Sequence, residues 1–269
     1  MARRLALGRS LREAVAFLPR AWAGAWAALV AFSLALALPT LLNKPALPTD
    51  IMGASCLLAI AATGLVMQGA LYRLGVSHSF RDARALGLGL GGIQLGWAEL
   101  RLLTSGMQVS GFLALVALCV ALVGVFIAGA LGATSALWRT PHALTVEAYA
   151  GHGDAIVASL IWMAGAIIVA QLAIRLSLYK PACVARRKHV SLDALALSEG
   201  AFWKILLGLA MTLLPTAALV AFALRGRGFQ PLGPHAVSLP VVLIIVLLQA
   251  PLSIGFLSSA YRQLEYRKA

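Results

Sequence analysis

Apolar residues gather in six long stretches, at about 21–42, 51–74, 102–131, 155–179, 203–224 and 239–260, with shorter polar or basic segments between them. A helix needs roughly 20 apolar residues to cross the hydrocarbon core, and each stretch is that long. Spans of a membrane β-barrel would be about 10 residues long and alternate in polarity, and no such alternation is present. The pattern predicts an all-α polytopic membrane protein. Its six transmembrane helices form three antiparallel hairpins in a single integral membrane domain covering 1–269.

The polar segments on one side of these spans are patterned as well. Residues 10–18 place Leu11, Ala14, Val15 and Leu18 at helical spacing, which predicts a short amphipathic helix lying in the membrane interface. Ser10 and Glu13 have the spacing of a capping box, Pro19 interrupts, and Trp22 opens the next apolar run. Residues 186–200 repeat the plan with Ser191, Gly200 and Trp203. In both copies the breaker follows the serine by nine residues and the tryptophan follows it by twelve. A middle elbow at 75–101 shares the tryptophan, Trp97, but glycines at 87, 89, 91, 92 and 96 argue against a stable helix there. The second and fourth spans leave through Tyr72-Arg73 and Ile174-Arg175, and the sixth through Tyr261-Arg262. We therefore expect a threefold repeat of interfacial elbow (about 10–20, 75–101 and 186–200) followed by hairpin; resemblance between unrelated amphipathic elbows is the competing explanation.

Small residues mark where spans could approach closely, Ala23, Ala27, Ala31 and Ala35 in the first and Gly124, Ala128 and Gly132 in the third. Thr140-Pro141 and Gly151-His152-Gly153 would start and stop a short surface helix in the loop 133–154.

Composition agrees with the pattern. The chain is 61% hydrophobic and 12% charged, against about 45–50% and about 25% for soluble domains. Net charge is +13. Of the 22 Lys and Arg, only Lys44, Arg139, Arg225 and Arg227 fall on the side away from the elbows. This asymmetry predicts both termini in the cytoplasm, in a bacterial inner (plasma) membrane. The cations flank spans and do not gather on a soluble face, so nucleic acid is not the expected partner. Anionic headgroups of the cytoplasmic leaflet are, with a protein partner as the other candidate. Cys56 and Cys119 lie within spans and Cys183 on the cytoplasmic side, so no disulfide framework is expected. The basic start precedes an apolar run long enough to span, so the first helix is expected to be retained.

Candidate chemistry is sparse. The basic set Arg175, Lys180, Arg186, Arg187 and Lys188, with Arg73 and Arg262, could contact lipid or a partner; setting the topology is their other explanation. Gln68, Gln108, Gln171 and Gln249 are the largest polar residues within spans, where lipid penalises them. They could line a polar cavity or simply bond between helices. Pro215 and Pro251 each remove a backbone donor within a span, and broken helices can mark a transport site, although packed neighbours can also satisfy them. Histidines and carboxylates of the outer segments show no metal-ligand spacing, so no metal and no cofactor is expected. No nucleophile motif, phosphate loop or paired carboxylates occur, so no enzyme is expected. GLGLGG at 87–92 matches dinucleotide spacing but follows no buried strand.

The phrases RLSLYKPACVARRKHVSLDALALSEGAFWKILLG and SSAYRQL resemble the membrane domain of bacterial glycerophosphodiester phosphodiesterases and related six-helix membrane families. The resemblance implies a membrane module that, in those enzymes, accompanies a separate catalytic domain. The family's catalytic residues have no counterpart in this sequence. The expectation is a non-enzymatic membrane module working through basic elbows. A transporter or lipid-moving protein using Pro215, Gln249 and Pro251 is the alternative.

Overall fold

The computed structural model describes residues 5–41, 51–130, 153–225 and 239–265. Its helices are α1 (Leu7–Leu41), α2 (Ile51–Val76), α3 (Phe80–Ala85), α4 (Trp97–Ala130), α5 (Gly153–Leu176), α6 (Tyr179–Arg186), α7 (Asp193–Leu197), α8 (Phe202–Arg225), α9 (Leu239–Ile244) and α10 (Ala250–Glu265). A 3₁₀ turn, Leu90–Gly92, lies between α3 and α4, and a π-helical stretch, Ile245–Gln249, joins α9 to α10. No strand occurs among the described residues. Six helical segments are long and apolar enough to cross a membrane, which makes this a multi-pass membrane protein. The surface helix expected within 133–154 lies outside the described residues, apart from the start of α5 at Gly153.

The spans are not equivalent. α1, α2 and α10 pack on one another at the centre, while α4 and α5 pair with each other at the side. In the most apolar window of the last span 50% of residues are buried, against 6% in that of the third. Among apolar helices in lipid no hydrophobic force favours contact, so small residues decide how near two backbones come. Gly64 accepts the Phe32 ring, Gly208 the Phe256 ring, and Gly255 meets Phe17 and Ala14. In the outer pair Gly124 faces Ile161 and Gly165 faces Val120.

The first elbow differs from expectation. α1 runs through Pro19 without a break, and the departure from helical geometry falls at Ala25, with φ −125° and ψ 21°. Ser10 and Glu13 form no capping box, because the helix already starts at Leu7. Ser10 is buried and donates to Ala6 O at 3.3 Å. The buried face of α1 includes Ala21, Ala25, Ala28 and Leu29; of the predicted strip, Ala23 is exposed, Ala27 and Ala31 are half-buried and Ala35 is buried.

The middle elbow is more ordered than its glycines suggested. Ser79 caps α3 through a true capping box with Asp82. Gly91 and Gly92 take φ of +63° and +83° and lay the chain flat on α1 and α2, where side chains would strike Trp26, Ala27 and Ala25 of α1 and Ala70 of α2. The glycines serve close approach more than flexibility. In the third elbow Ser191 makes no side-chain cap; α7 starts after Leu192, and Gly200 turns the chain with φ +73°.

Most of the largest buried side chains sit toward the elbow end, with Leu29 and Val246 deeper in the first and last spans. Leu176, Leu178, Leu197, Ile205, Phe256 and Leu264 belong to one apolar cluster, and Leu29, Leu71, Leu74 and Val246 to a second beside it. The elbows thus close a packed floor beneath the spans.

Candidate functional site

The elbow end collects the charged residues, and the fold divides them into those held inside and those left on the surface. Arg73, at the end of α2, is buried and forms an ion pair through Nη1 with Oε1 of Glu99, equally buried in the first turn of α4. Arg73 Nε also donates to Leu86 O at 3.0 Å. Glu99 Oε2 accepts from Gly96 N–H at 3.0 Å, so the carboxylate caps its own helix, where the helix dipole favours an acid. Gly69 leaves the room this needs, since a Cβ there would lie 2.6 Å from Glu99 Oε1. Burying an ion pair is costly unless its remaining donors and acceptors are satisfied; here several are, and the middle elbow is fastened to α2. Arg73 is therefore not the surface contact expected of it.

Arg262, at the end of α10, donates to Glu13 Oε2 at 2.9 Å. The same carboxylate receives Ser259 Oγ at 2.8 Å and, through Oε1, Arg9 Nε at 2.9 Å. Gln263 adds Ser10 Oγ and Ala6 N–H, while Lys204 Nζ donates to Leu5 O at 3.0 Å. These bonds explain why Ser10 and Glu13 are drawn away from capping: both face α10. Arg186 is likewise engaged, with Glu265 at 2.6 Å. Lys180 donates to Gln68 Oε1 at 2.9 Å, so Gln68 serves the third elbow and not its own helix's arginine.

Arg187 and Lys188 are exposed, as is His189. Arg187 adopts a left-handed φ of 51° and donates to Ala85 O at 2.7 Å, while its own carbonyl accepts from Arg101 at 2.5 Å. His189 Nδ1 lies 3.1 Å from Thr104 Oγ1 and 3.4 Å from Ser105 Oγ. Buried Cys183 bonds Ser105 and the Val190 backbone. This group ties the second and third elbows together. Arg175 stands apart: its Nε is buried and has no hydrogen-bond partner among the described residues.

A groove of about 540 Å³ opens at the same end, between α1 and the middle elbow. Ala23 and Gly24 form one wall; Phe80, Leu88 and the Gly89–Gly91 backbone form the other, with exposed Arg84 at its edge. Arg20 supports Phe80 from outside the groove, 5.6 Å over the ring and bonded to Ser77 O at 3.2 Å. A slot that combines apolar side chains with glycine backbone and a cation suits an amphiphile with an anionic head.

The intramembrane polar residues do not converge. Gln108 and Gln171 are exposed. Pro251 is buried next to the π-helical stretch, and the carbonyl it deprives of a donor, four residues back at Leu247, accepts instead from Trp22 Nε1 at 2.8 Å. The elbow tryptophan thus repairs the proline break. Gln249 Nε2 donates to Ser253 Oγ at 2.7 Å, while its Oε1 and Thr216 Oγ1 are buried without partners among the described residues. Pro215, next to Thr216, is exposed.

Sequence reasoning missed Glu99 altogether and read Glu13 as a cap. With only nine Asp and Glu in the chain, an acid in the first turn of a span was a usable signal. No family model matches the chain, and no curated protein or solved structure matches it either.

Proposed function

We propose that this chain is a non-enzymatic integral membrane module of a bacterial plasma membrane, with both termini cytoplasmic, that holds anionic phospholipid of the inner leaflet at its elbows. The observation that carries this reading is the groove between α1 and the middle elbow, lined by apolar side chains, glycine backbone and the cation of Arg84. The excess of Lys and Arg on the elbow side supports an inner-leaflet position for that groove, where each cation near the surface contributes on the order of 1 kcal/mol toward anionic lipid. Arg187 and Lys188 extend the basic surface. The resemblance to phosphodiesterase membrane domains supports a module that handles or faces glycerophospholipid. In native mass spectrometry from mixed vesicles, the full chain should retain phosphatidylglycerol over phosphatidylcholine. Arg84→Gln should weaken that retention several-fold. Equal retention of both lipids by the unaltered protein would remove the reading.

A transport or lipid-moving role has one observation in its favour. Gly208 meets Phe256, so antiparallel helices at 1.5 Å per residue put Thr216 and Gln249 at nearly the same depth, roughly 10–12 Å further into the bilayer. Both carry a buried oxygen without a partner among the described residues. Substrate flux in proteoliposomes, lost with Gln249→Leu, is the test.

A further inference from the structure

The repeat makes a demand that the third elbow does not meet. Each hairpin delivers an arginine to the elbow end: Arg73, Arg175 and Arg262. Arg73 is bound by Glu99, from the start of the span after the second elbow. Arg262 is bound by Glu13 of the first elbow. Going round the bundle, each arginine meets a carboxylate from the following repeat, with the last closing on the first. Arg175 should then meet one from the third.

It does not. Matching Ser10 with Ser191 and Trp22 with Trp203 places Ala194 where the first repeat has Glu13. Matching Trp97 with Trp203 places Ile205 where the second has Glu99. Ala194 and Ile205 are both fully buried and apolar. The acids the third elbow does possess, Asp193 and Glu199, are exposed, and α5 packs on α7 without either of them bonding Arg175 among the described residues. Arg175 is half-buried as a residue, and its Nε is shut off from solvent with no acceptor among the described residues. A guanidinium cannot shed its charge, and leaving such a group unpaired is costly. Its planar fork suits two oxygens of a phosphate or carboxylate.

We propose that Arg175 is an anion site, in which the phosphate of an inner-leaflet anionic phospholipid takes the role of counter-ion that Glu13 plays for Arg262 and Glu99 for Arg73. Arg175 is the penultimate residue of α5, at the depth of the elbows, where the phosphodiesters of that leaflet lie. This rests on the lipid-binding reading above and adds a second, structurally distinct place for the headgroup.

The experiment uses the full chain in nanodiscs of phosphatidylcholine with and without phosphatidylglycerol, reading retained lipid by native mass spectrometry and unfolding temperature by intrinsic tryptophan fluorescence. Arg175→Gln should lose one tightly held phosphatidylglycerol, with retention roughly tenfold weaker, and should no longer be stabilised by that lipid to the full extent. Ala194→Glu, which puts a carboxylate at the position matching Glu13, should lose the same lipid while unfolding no lower than the unaltered protein in pure phosphatidylcholine. Arg84→Gln, acting on the groove, should leave the Arg175 lipid in place. Equal retention by the unaltered protein and Arg175→Gln overturns the site while leaving the groove reading intact. Stabilisation by inorganic phosphate in pure phosphatidylcholine, to the level phosphatidylglycerol gives, overturns the lipid as its occupant. Should Ala194→Glu not fold, Arg175→Gln alone decides the matter.

Discussion

Arg73 and Glu99, separated by 26 residues of sequence, meet as a buried ion pair where α2 ends and α4 begins. Each also binds backbone, Arg73 at Leu86 and Glu99 at Gly96, so the pair clamps both ends of the middle elbow. A buried pair of this kind is asymmetric in its energetics. Removing one partner strands the other charge, while replacing both by apolar groups can be nearly neutral.

Glu99→Gln or Arg73→Met alone should therefore lower stability by about 3–5 kcal/mol. The double variant Arg73→Met, Glu99→Leu should recover most of the loss. Reversible unfolding in mixed micelles measures this, and additive losses in the double variant would show that the two residues act separately. Gly69→Ala should also destabilise, because the new methyl group meets Glu99 Oε1.

The pair of Arg262 with Glu13 should matter less. Both side chains keep appreciable exposure, 20% and 31%, and partly solvated pairs contribute about 0–1 kcal/mol. Glu13→Gln should cost at the upper end of that range, since Ser259 and Arg9 share its carboxylate. A loss as large as that of Glu99→Gln in the same assay would contradict this ranking.

Trp22→Phe keeps the ring and removes the N–H that Leu247 O accepts. The carbonyl is then unpaired, at a cost of about 1–3 kcal/mol. Pro251→Ala supplies a backbone N–H to the same carbonyl, so the double variant should lose less than the sum of the single ones. A double-mutant cycle of unfolding free energies tests the coupling, which simple loss of indole packing would not produce.

The inside placement proposed for the elbows predicts labelling by side. A cysteine introduced at Lys188 in a background free of Cys56, Cys119 and Cys183 should react with membrane-impermeant maleimide only after the inner face is opened. One introduced at Arg227 should react in intact cells. The reverse pattern would invert the topology and move the groove to the other leaflet.

Apolar pattern alone was enough for six crossings and an all-helical chain, because only uninterrupted helices satisfy their backbone within lipid and their length is fixed by bilayer thickness. The elbow pattern was less informative: α1 runs through Pro19 as one helix, and neither Ser10 nor Ser191 caps a helix. Side-chain partners were not readable in this way. Glu13 fits a cap or an ion-pair partner equally well until α10 stands beside it, and Arg73 reads as a surface anchor until Glu99 arrives from the next elbow. Pro251 reads as a break until Trp22 fills the gap from the far end of the chain. The spacing of residues along one helix states which neighbours share its face; which cations are cancelled, and that Arg175 meets no acid among the described residues, depends on how separate helices meet, and only packing sets that.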